Sequence, residues 1–156
     1  MDPELLIAQL DKVQTFFERS TSALTEEDAD FAPVDGVYTC AQLVGHVAQS
    51  VDWFMEGAFK AEAFSMDMDA HHQAILKVSC LEDARALIKC AFDDARACLR
   101  EQSAESLMTP LPEGPVMGGA PRGAVISGIE EHTAHHRGAL AVYARLRGHT
   151  PPLPYM

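Results

Sequence analysis

The chain has 156 residues, of which 47% are hydrophobic, enough for one domain with its own core and too few for two. We therefore expect a single domain over residues 1–156. The 23 acidic side chains outnumber the 12 basic ones, giving a formal net charge of −11. This charge argues against a nucleic-acid partner, because phosphate would be repelled over most of the surface.

The first residues lead us to expect no export signal. The stretch "MDPELLIAQL" opens with an acid and a proline rather than basic residues followed by a hydrophobic run, so we expect a cytoplasmic protein. No stretch reaches the roughly 18 to 20 uninterrupted apolar residues of a membrane-spanning helix. We accordingly expect no membrane partner.

The four cysteines are expected to be reduced thiols. None has CxxC spacing, and Cys90 and Cys98 lie two turns apart on one predicted helix, too far for a disulfide. Cys40 and Cys80 each follow a predicted helix N-cap, where the helix dipole favours a reactive thiolate. The alternative is that both are small buried hydrophobic residues, as free cysteines usually are.

Helical periodicity predicts four main helices and no strands. The first runs from Pro3 to about Ser20. The second begins at Thr39, which forms a capping box with Gln42, and continues through "CAQLVGHVAQSVDWFMEGAF". Its predicted inward positions are Leu43, His46 or Val47, Ser50, and Trp53 or Phe54.

The third helix is predicted to begin at Ser79, with Glu82 completing a capping box, and to end near Gln102. The irregular segment before the third helix allows a short helix that starts near Ser65 or Asp67. The apolar face of the third helix comprises Ala84, Leu87, Ile88, Ala91, Phe92, Ala95 and Leu99.

The linker "TPLPEGPVMGGAPRG" is rich in Pro and Gly, which predicts a loop. The fourth helix starts near Pro121, runs through Arg147 and is stopped by Gly148. Four amphipathic helices with such connections predict an all-α fold, a four-helix bundle with long, uneven connections.

Two histidines lie on the apolar face of the fourth helix. His132 and His136 follow the same steps of three, four or seven residues as Val125, Ile129, Tyr143 and Leu146, whereas His135 falls at the edge of that face. A buried imidazole with an unsatisfied nitrogen costs on the order of 1 to 3 kcal/mol. An i, i+4 histidine pair is also the spacing with which a helix binds a transition metal.

A third ligand is predicted from the second helix, where His46 lies on the inward stripe with Leu43 and Ser50. A single inward histidine is commonly a hydrogen-bonded core residue, but three on compatible faces favour a metal site. The other histidines are interpreted as surface residues: His71, His72 and His149.

The residue types at the predicted site limit the class of metalloenzyme and the choice of metal. Thr133 stands where an HExxH metalloprotease has its general-base glutamate, which disfavours that class. Three imidazoles leave at least one coordination position for water or substrate, as in catalytic zinc sites. Zinc is the first expectation, and nickel is an alternative because imidazole discriminates weakly between divalent ions.

Three stretches resemble the DinB/YfiT-like superfamily of metal-dependent enzymes: "LVGHVAQSVDWF", "EEHTAHHRGALAVYARLRG" and "HTPPLPYM". The resemblance implies a four-helix bundle that often forms homodimers and binds a divalent metal through three histidines. On this chain those positions are His46, His132 and His136. Ala139 stands where the family commonly has glutamine, which alters the surroundings of the ligands rather than the ligands.

The resemblance further implies a thiol S-transferase, using a low-molecular-weight thiol, or else a hydrolase acting on a small-molecule substrate, and other members of the family are isomerising. The candidates for an assisting base are Glu130, Glu131 and His135, and Arg137 is available for an anionic substrate, although a solvated surface position is the favoured interpretation of each charged residue. The alternative function is a non-catalytic metal-binding or dimeric interaction protein, in which Trp53, Phe54 and Met55 are core or contact residues rather than a pocket wall.

Overall fold

The computed structural model describes residues 1–60 and 64–155. Within these ranges the chain is all-α, as predicted, and contains no strand. The six helices are α1 (Pro3–Thr21), α2 (Cys40–Phe59), α3 (Met68–Ile75), α4 (Leu81–Arg100), α5 (Ala104–Met108) and α6 (Val125–Leu146). No helix in the described ranges combines the length and apolarity needed to cross a bilayer.

The four long helices pack in a ring, with α2 against α4 and α6, and α1 against the same two helices. This packing is consistent with the predicted four-helix bundle. Its connections, residues 22–39, 60–80 and 101–124, are long and uneven, and they contain the short helices α3 and α5. The largest fully buried side chains lie inside the ring: Phe17, Phe92, Leu10, Leu81, Ile88 and Leu99.

The start of α2 follows the predicted capping box. The hydroxyl of Thr39 accepts the Gln42 backbone N–H, and the Gln42 side chain accepts the Thr39 N–H. Two of the four N–H groups that lack partners inside the helix are thereby satisfied. This cap fixes the register of the helix that carries His46.

The start of α4 lies later than predicted. The sulfur of Cys80, rather than the hydroxyl of Ser79, caps the helix by accepting the Asp83 N–H at 3.4 Å. The N–H groups of Leu81 and Glu82, which also lack partners inside the helix, donate to the carboxylate of Glu26. Glu26 lies in the connection between α1 and α2. Sequence spacing predicts only local caps, so this long-range one was not predicted.

The connection before α2 is also tied to the end of α6. Asp28 is only 2% exposed and accepts hydrogen bonds from Arg147 and His149, each at 2.8 Å. His149, interpreted as a surface residue, has a side chain that is 31% exposed, because the chain turns back after α6 and places its imidazole against a buried carboxylate.

Two predicted core positions lie at the surface. Leu87 of α4 is 46% exposed and Leu146, the last residue of α6, is 60% exposed. The apolar stripe of α4 is wider than the face that its neighbours cover, and Leu146 lies at the helix end. Helical spacing identifies a face but not the width or length that packing covers.

The cysteines are all free thiols, as expected. Cys40 is fully buried, and burial, reinforced by the Asp28 carboxylate, raises the pKa of its thiol to about 11. The thiol is therefore protonated at neutral pH. This favours the interpretation of Cys40 as a buried hydrophobic residue over that of a reactive thiolate.

Candidate metal centre

Helices α2 and α6 bring together the three histidines selected from the sequence. His132 and His136 lie one turn apart on α6, and the ring of His46 on α2 lies 5.0 Å and 4.9 Å from theirs, centroid to centroid. One ring nitrogen from each residue lies within 4.8 Å of the other two. Among the described residues, this is the group of three or more potential ligands compact enough for a metal ion.

The donor atoms fit a divalent transition metal. The Nε2 atoms of His132 and His136 are 3.2 Å apart. Two imidazole nitrogens bound to one tetrahedral zinc at about 2.0 to 2.1 Å lie about 3.3 Å apart, close to this separation. The distance equally permits an N–H of one ring to donate to the other. An all-imidazole set suits zinc, nickel, copper and iron better than magnesium or calcium.

Burial keeps the three imidazoles neutral. It lowers the pKa of His46, and it lowers that of His132 to about 4 and that of His136 to about 3. Neighbouring imidazoles, including the exposed His135, lower the last two further. Neutral imidazole is the form that ligates a metal, so the site requires little deprotonation at neutral pH.

Polar and aromatic neighbours position these rings. The Ser50 hydroxyl donates to the His46 carbonyl at 2.8 Å and lies 3.5 Å from Nε2 of His132. The ring of Tyr38 packs against His46 with 5.4 Å between centroids, and its hydroxyl lies 2.8 Å from Nδ1 of His72. With its proton on the His46 carbonyl, the Ser50 hydroxyl can only accept from Nε2 of His132, whereas the packing of Tyr38 limits the rotation of the His46 ring.

Two cavities adjoin this group of histidines, and both border His132. The smaller, of about 190 Å³, is lined by His46 and His132 together with residues of α2 and α3. The larger, of about 650 Å³, lies between α2, residues 115–117 and the exposed flank of α6. Trp53 and His132 line both cavities, and the Trp53 indole donates to the Ser65 carbonyl at 2.7 Å, which holds it in place.

The wall of the larger cavity depends on a glycine. A Cβ at position 128 would lie 2.8 Å from the ring of Phe54, so the absence of a side chain on Gly128 lets that ring approach α6. Met117 lines the same cavity with a positive φ of 48°, which is uncommon for a residue with a side chain. Met117 and its neighbours Pro115 and Val116 lie in a loop without periodicity in the sequence, and they were not predicted at the site.

His71 was also missed. It was interpreted as a surface residue, but it is partly buried and lines the smaller cavity. One signal was present: His71 lies four residues before Ile75, the buried residue of α3, so both occupy one face of that helix. The short length of α3 hides this pattern in the sequence.

The candidate assisting residues divide between two sides of α6. Glu131 and His135 line the larger cavity. Glu130 accepts a hydrogen bond from Gln9 of α1, and the Arg137 guanidinium packs over the ring of Phe16, also on α1. Only the first pair therefore borders the cavities beside the three histidines.

The family model of the DinB superfamily matches residues 9–140. The chain belongs to the DinB superfamily. A DinB-like protein from Bacillus subtilis, YjoA, has a similar structure, with a TM-score of 0.69 and 18% identity over 97% of this chain and 96% of that one. This likeness extends over almost the whole of both chains.

A second similar structure is that of the mycothiol-dependent maleylpyruvate isomerase, with a TM-score of 0.72 and 16% identity. A mutant of that isomerase matches equally well at 15% identity. The match covers 90% of this chain, which spans only 61% of the length of the isomerase. No curated protein matches this chain in sequence. At these identities the likeness establishes a shared fold.

Proposed function

We propose that the chain binds one divalent metal ion through His46, His132 and His136, and that it is a metal-dependent enzyme. The observation that carries the proposal is the convergence of three neutral imidazoles, of which His46 and His132 border open cavities. Zinc is the proposed ion and nickel the alternative, because an all-nitrogen site accepts both.

The reaction class that we propose is thiol S-transfer, with hydrolysis as the alternative. A bound metal would supply a Lewis acid that lowers the pKa of a thiol or of water. The fold shared with a mycothiol-dependent isomerase favours a small thiol as one reactant. Within the chain, Trp53 and Phe54 would exclude water from the reactants.

The cavities favour an enzyme over a non-catalytic metal-binding protein. A purely structural metal site is closed by protein ligands, whereas His46 and His132 border space that a substrate can enter. Trp53 and Phe54 form cavity walls, the arrangement expected of an enzyme, while Met55 is a buried core residue. Cytoplasmic location, a single domain and a homodimer stay predictions.

Metal content of untagged protein tests the proposal. We expect about one equivalent of zinc or nickel in the wild type by plasma mass spectrometry, and at least a ten-fold loss of affinity in His46→Ala, His132→Ala and His136→Ala, because each removes one of three ligands. His135→Ala, which changes an adjacent imidazole outside the group of three, is the matched control and should retain the metal.

Stoichiometric metal in all three alanine variants would refute the site. To separate enzyme from metal-binding protein, the loaded protein should be assayed with small thiols plus electrophiles and with esters and amides. Turnover that is lost in His136→Ala supports the enzyme. No turnover in a protein that holds its metal supports the alternative.

A further inference from the structure

His71 on α3 carries a polar atom that its surroundings do not satisfy. Its Nε2 is buried and has no hydrogen-bond partner in the described parts of the chain. A buried donor or acceptor without a partner costs about 1 to 3 kcal/mol, and folded proteins rarely leave one so. His71 also lines the smaller cavity, so a turn of its ring would bring a nitrogen within reach of a bound group.

The backbone around His71 is held firmly. The side-chain amide of Gln49 on α2 donates to the His71 carbonyl at 3.1 Å, and Ile75, one turn further along α3, is buried. These contacts fix the Cα position at the edge of the smaller cavity. The ring can still turn about its Cβ–Cγ bond, a soft torsion, and so present a nitrogen to the cavity.

The smaller cavity suits a negatively charged ligand. Its polar lining consists of the imidazoles of His46, His71 and His132, the Gln49 amide and the Ser50 hydroxyl, and no acidic residue is among the described residues that line it. Because Ser50 donates its proton to the His46 carbonyl and Gln49 donates one N–H to the His71 carbonyl, the donors left for a carboxylate are an N–H of His71 and the second amide N–H of Gln49. A volume of about 190 Å³ limits the ligand to a compact molecule, roughly the space of six waters.

We propose that His71 binds the carboxylate of a small ligand whose reactive end lies at the three histidines. The imidazole N–H donates to a carboxylate oxygen, which satisfies the unpaired nitrogen and orients the molecule across the cavity. This inference rests on the proposed metal centre. It adds a substrate class, small carboxylic acids, and a specificity residue on a different helix from the ligands.

Cobalt-loaded protein tests the inference without any activity assay, because a thiolate bound to cobalt gives a charge-transfer band. The probes are mercaptoacetate, 3-mercaptopropionate and 4-mercaptobutyrate, each compared with its neutral amide. We expect the best-fitting acid to bind the wild type about ten-fold or more tightly than its amide, since a hydrogen bond to a charged group contributes that much.

His71→Phe should abolish this preference while leaving the affinity for the amide within about three-fold, because the ring volume is kept and only the N–H is lost. His71→Gln, which keeps a hydrogen-bond donor, should retain part of the preference for the acid over the amide. Gln73→Phe places the same ring at an exposed position of α3 and is the matched control.

The outcomes separate the two proposals. No preference for any acid in the wild type, or a preference that survives in His71→Phe, would overturn the role of His71 while leaving the metal centre intact. Failure of the wild type to bind cobalt at all would overturn the metal centre and this inference with it.

Discussion

Asp28 is a carboxylate held ionised inside the protein. Burial disfavours its charge, but hydrogen bonds from Arg147, Thr25 and His149 together outweigh that effect and lower its pKa from 3.8 to about 2. The ionised side chain therefore favours the folded state. By linkage this difference corresponds to about 2 kcal/mol of folding stability at neutral pH.

The pH dependence follows from the sign of the shift. Because the folded pKa lies below the unfolded one, the contribution of Asp28 is fully present above about pH 4 and is lost as the pH falls through about 2. We expect Asp28→Asn to lower the free energy of unfolding by about 2 kcal/mol at pH 7. Urea denaturation from pH 7 to pH 2 measures both the loss and its disappearance in acid.

Asp30→Asn is the matched control, since Asp30 is exposed and two residues away. It should change stability by no more than about 0.5 kcal/mol. An equal loss in both variants at pH 7 would mean that net charge, rather than the contacts of Asp28, determines the effect.

Helix α6 contains two glycines with opposite surroundings. A Cβ at Gly138 would meet nothing within 4 Å, whereas one at Gly128 would lie 2.8 Å from the Phe54 ring. Both positions are helical, so alanine gains the same backbone preference at each. The difference between the two substitutions isolates the contact with Phe54.

We expect Gly138→Ala to raise the free energy of unfolding by about 0.5 to 1 kcal/mol. The free energy of unfolding of Gly128→Ala should be at least about 1 kcal/mol lower than that of Gly138→Ala, because the Phe54 ring must move. Thermal and urea unfolding of the pair measure this difference. Equal stabilisation would show that Phe54 relocates freely and that Gly128 does not shape the larger cavity.

Local rules explain which elements were predictable. The capping box of Thr39 and Gln42 involves neighbours in the chain, so the sequence located the start of α2 correctly. The cap of α4 by Glu26 joins residues 55 positions apart, and no local pattern contains it. The exposure of Leu87 likewise depends on how far the adjacent helices extend, which periodicity does not encode.

The site was predictable to the extent that helical spacing sets side-chain direction. His132 and His136 share a face by their separation of four residues, and His46 lies on the inward stripe of α2. The cavity walls come from α3 and from residues 115–117, elements without a strong pattern. Their places depend on the packing of the whole chain, so His71 was misassigned.

A metal at the three histidines would join α2 to α6 and so stabilise the entire bundle. An ion that binds only the folded state at 100 times its Kd adds about 2.7 kcal/mol, or about 5 to 10 °C in Tm for a protein of this size. We expect zinc to raise the Tm of the metal-free chain by this amount and a chelator to reverse it, as scanning calorimetry can measure.

His136→Ala should lose this response, whereas Gly138→Ala, two residues away, should keep it in full. An identical rise in Tm for wild type and His136→Ala would place the stabilising ion outside the three histidines.

The position of His132 and Trp53 on both cavities has a consequence for kinetics. Two molecules in separate cavities would both border His132, so neither would have to leave before the other arrives. For a transfer reaction, that arrangement favours a ternary complex and a sequential rate law over a ping-pong one. Double-reciprocal plots that intersect, rather than run parallel, are its kinetic signature.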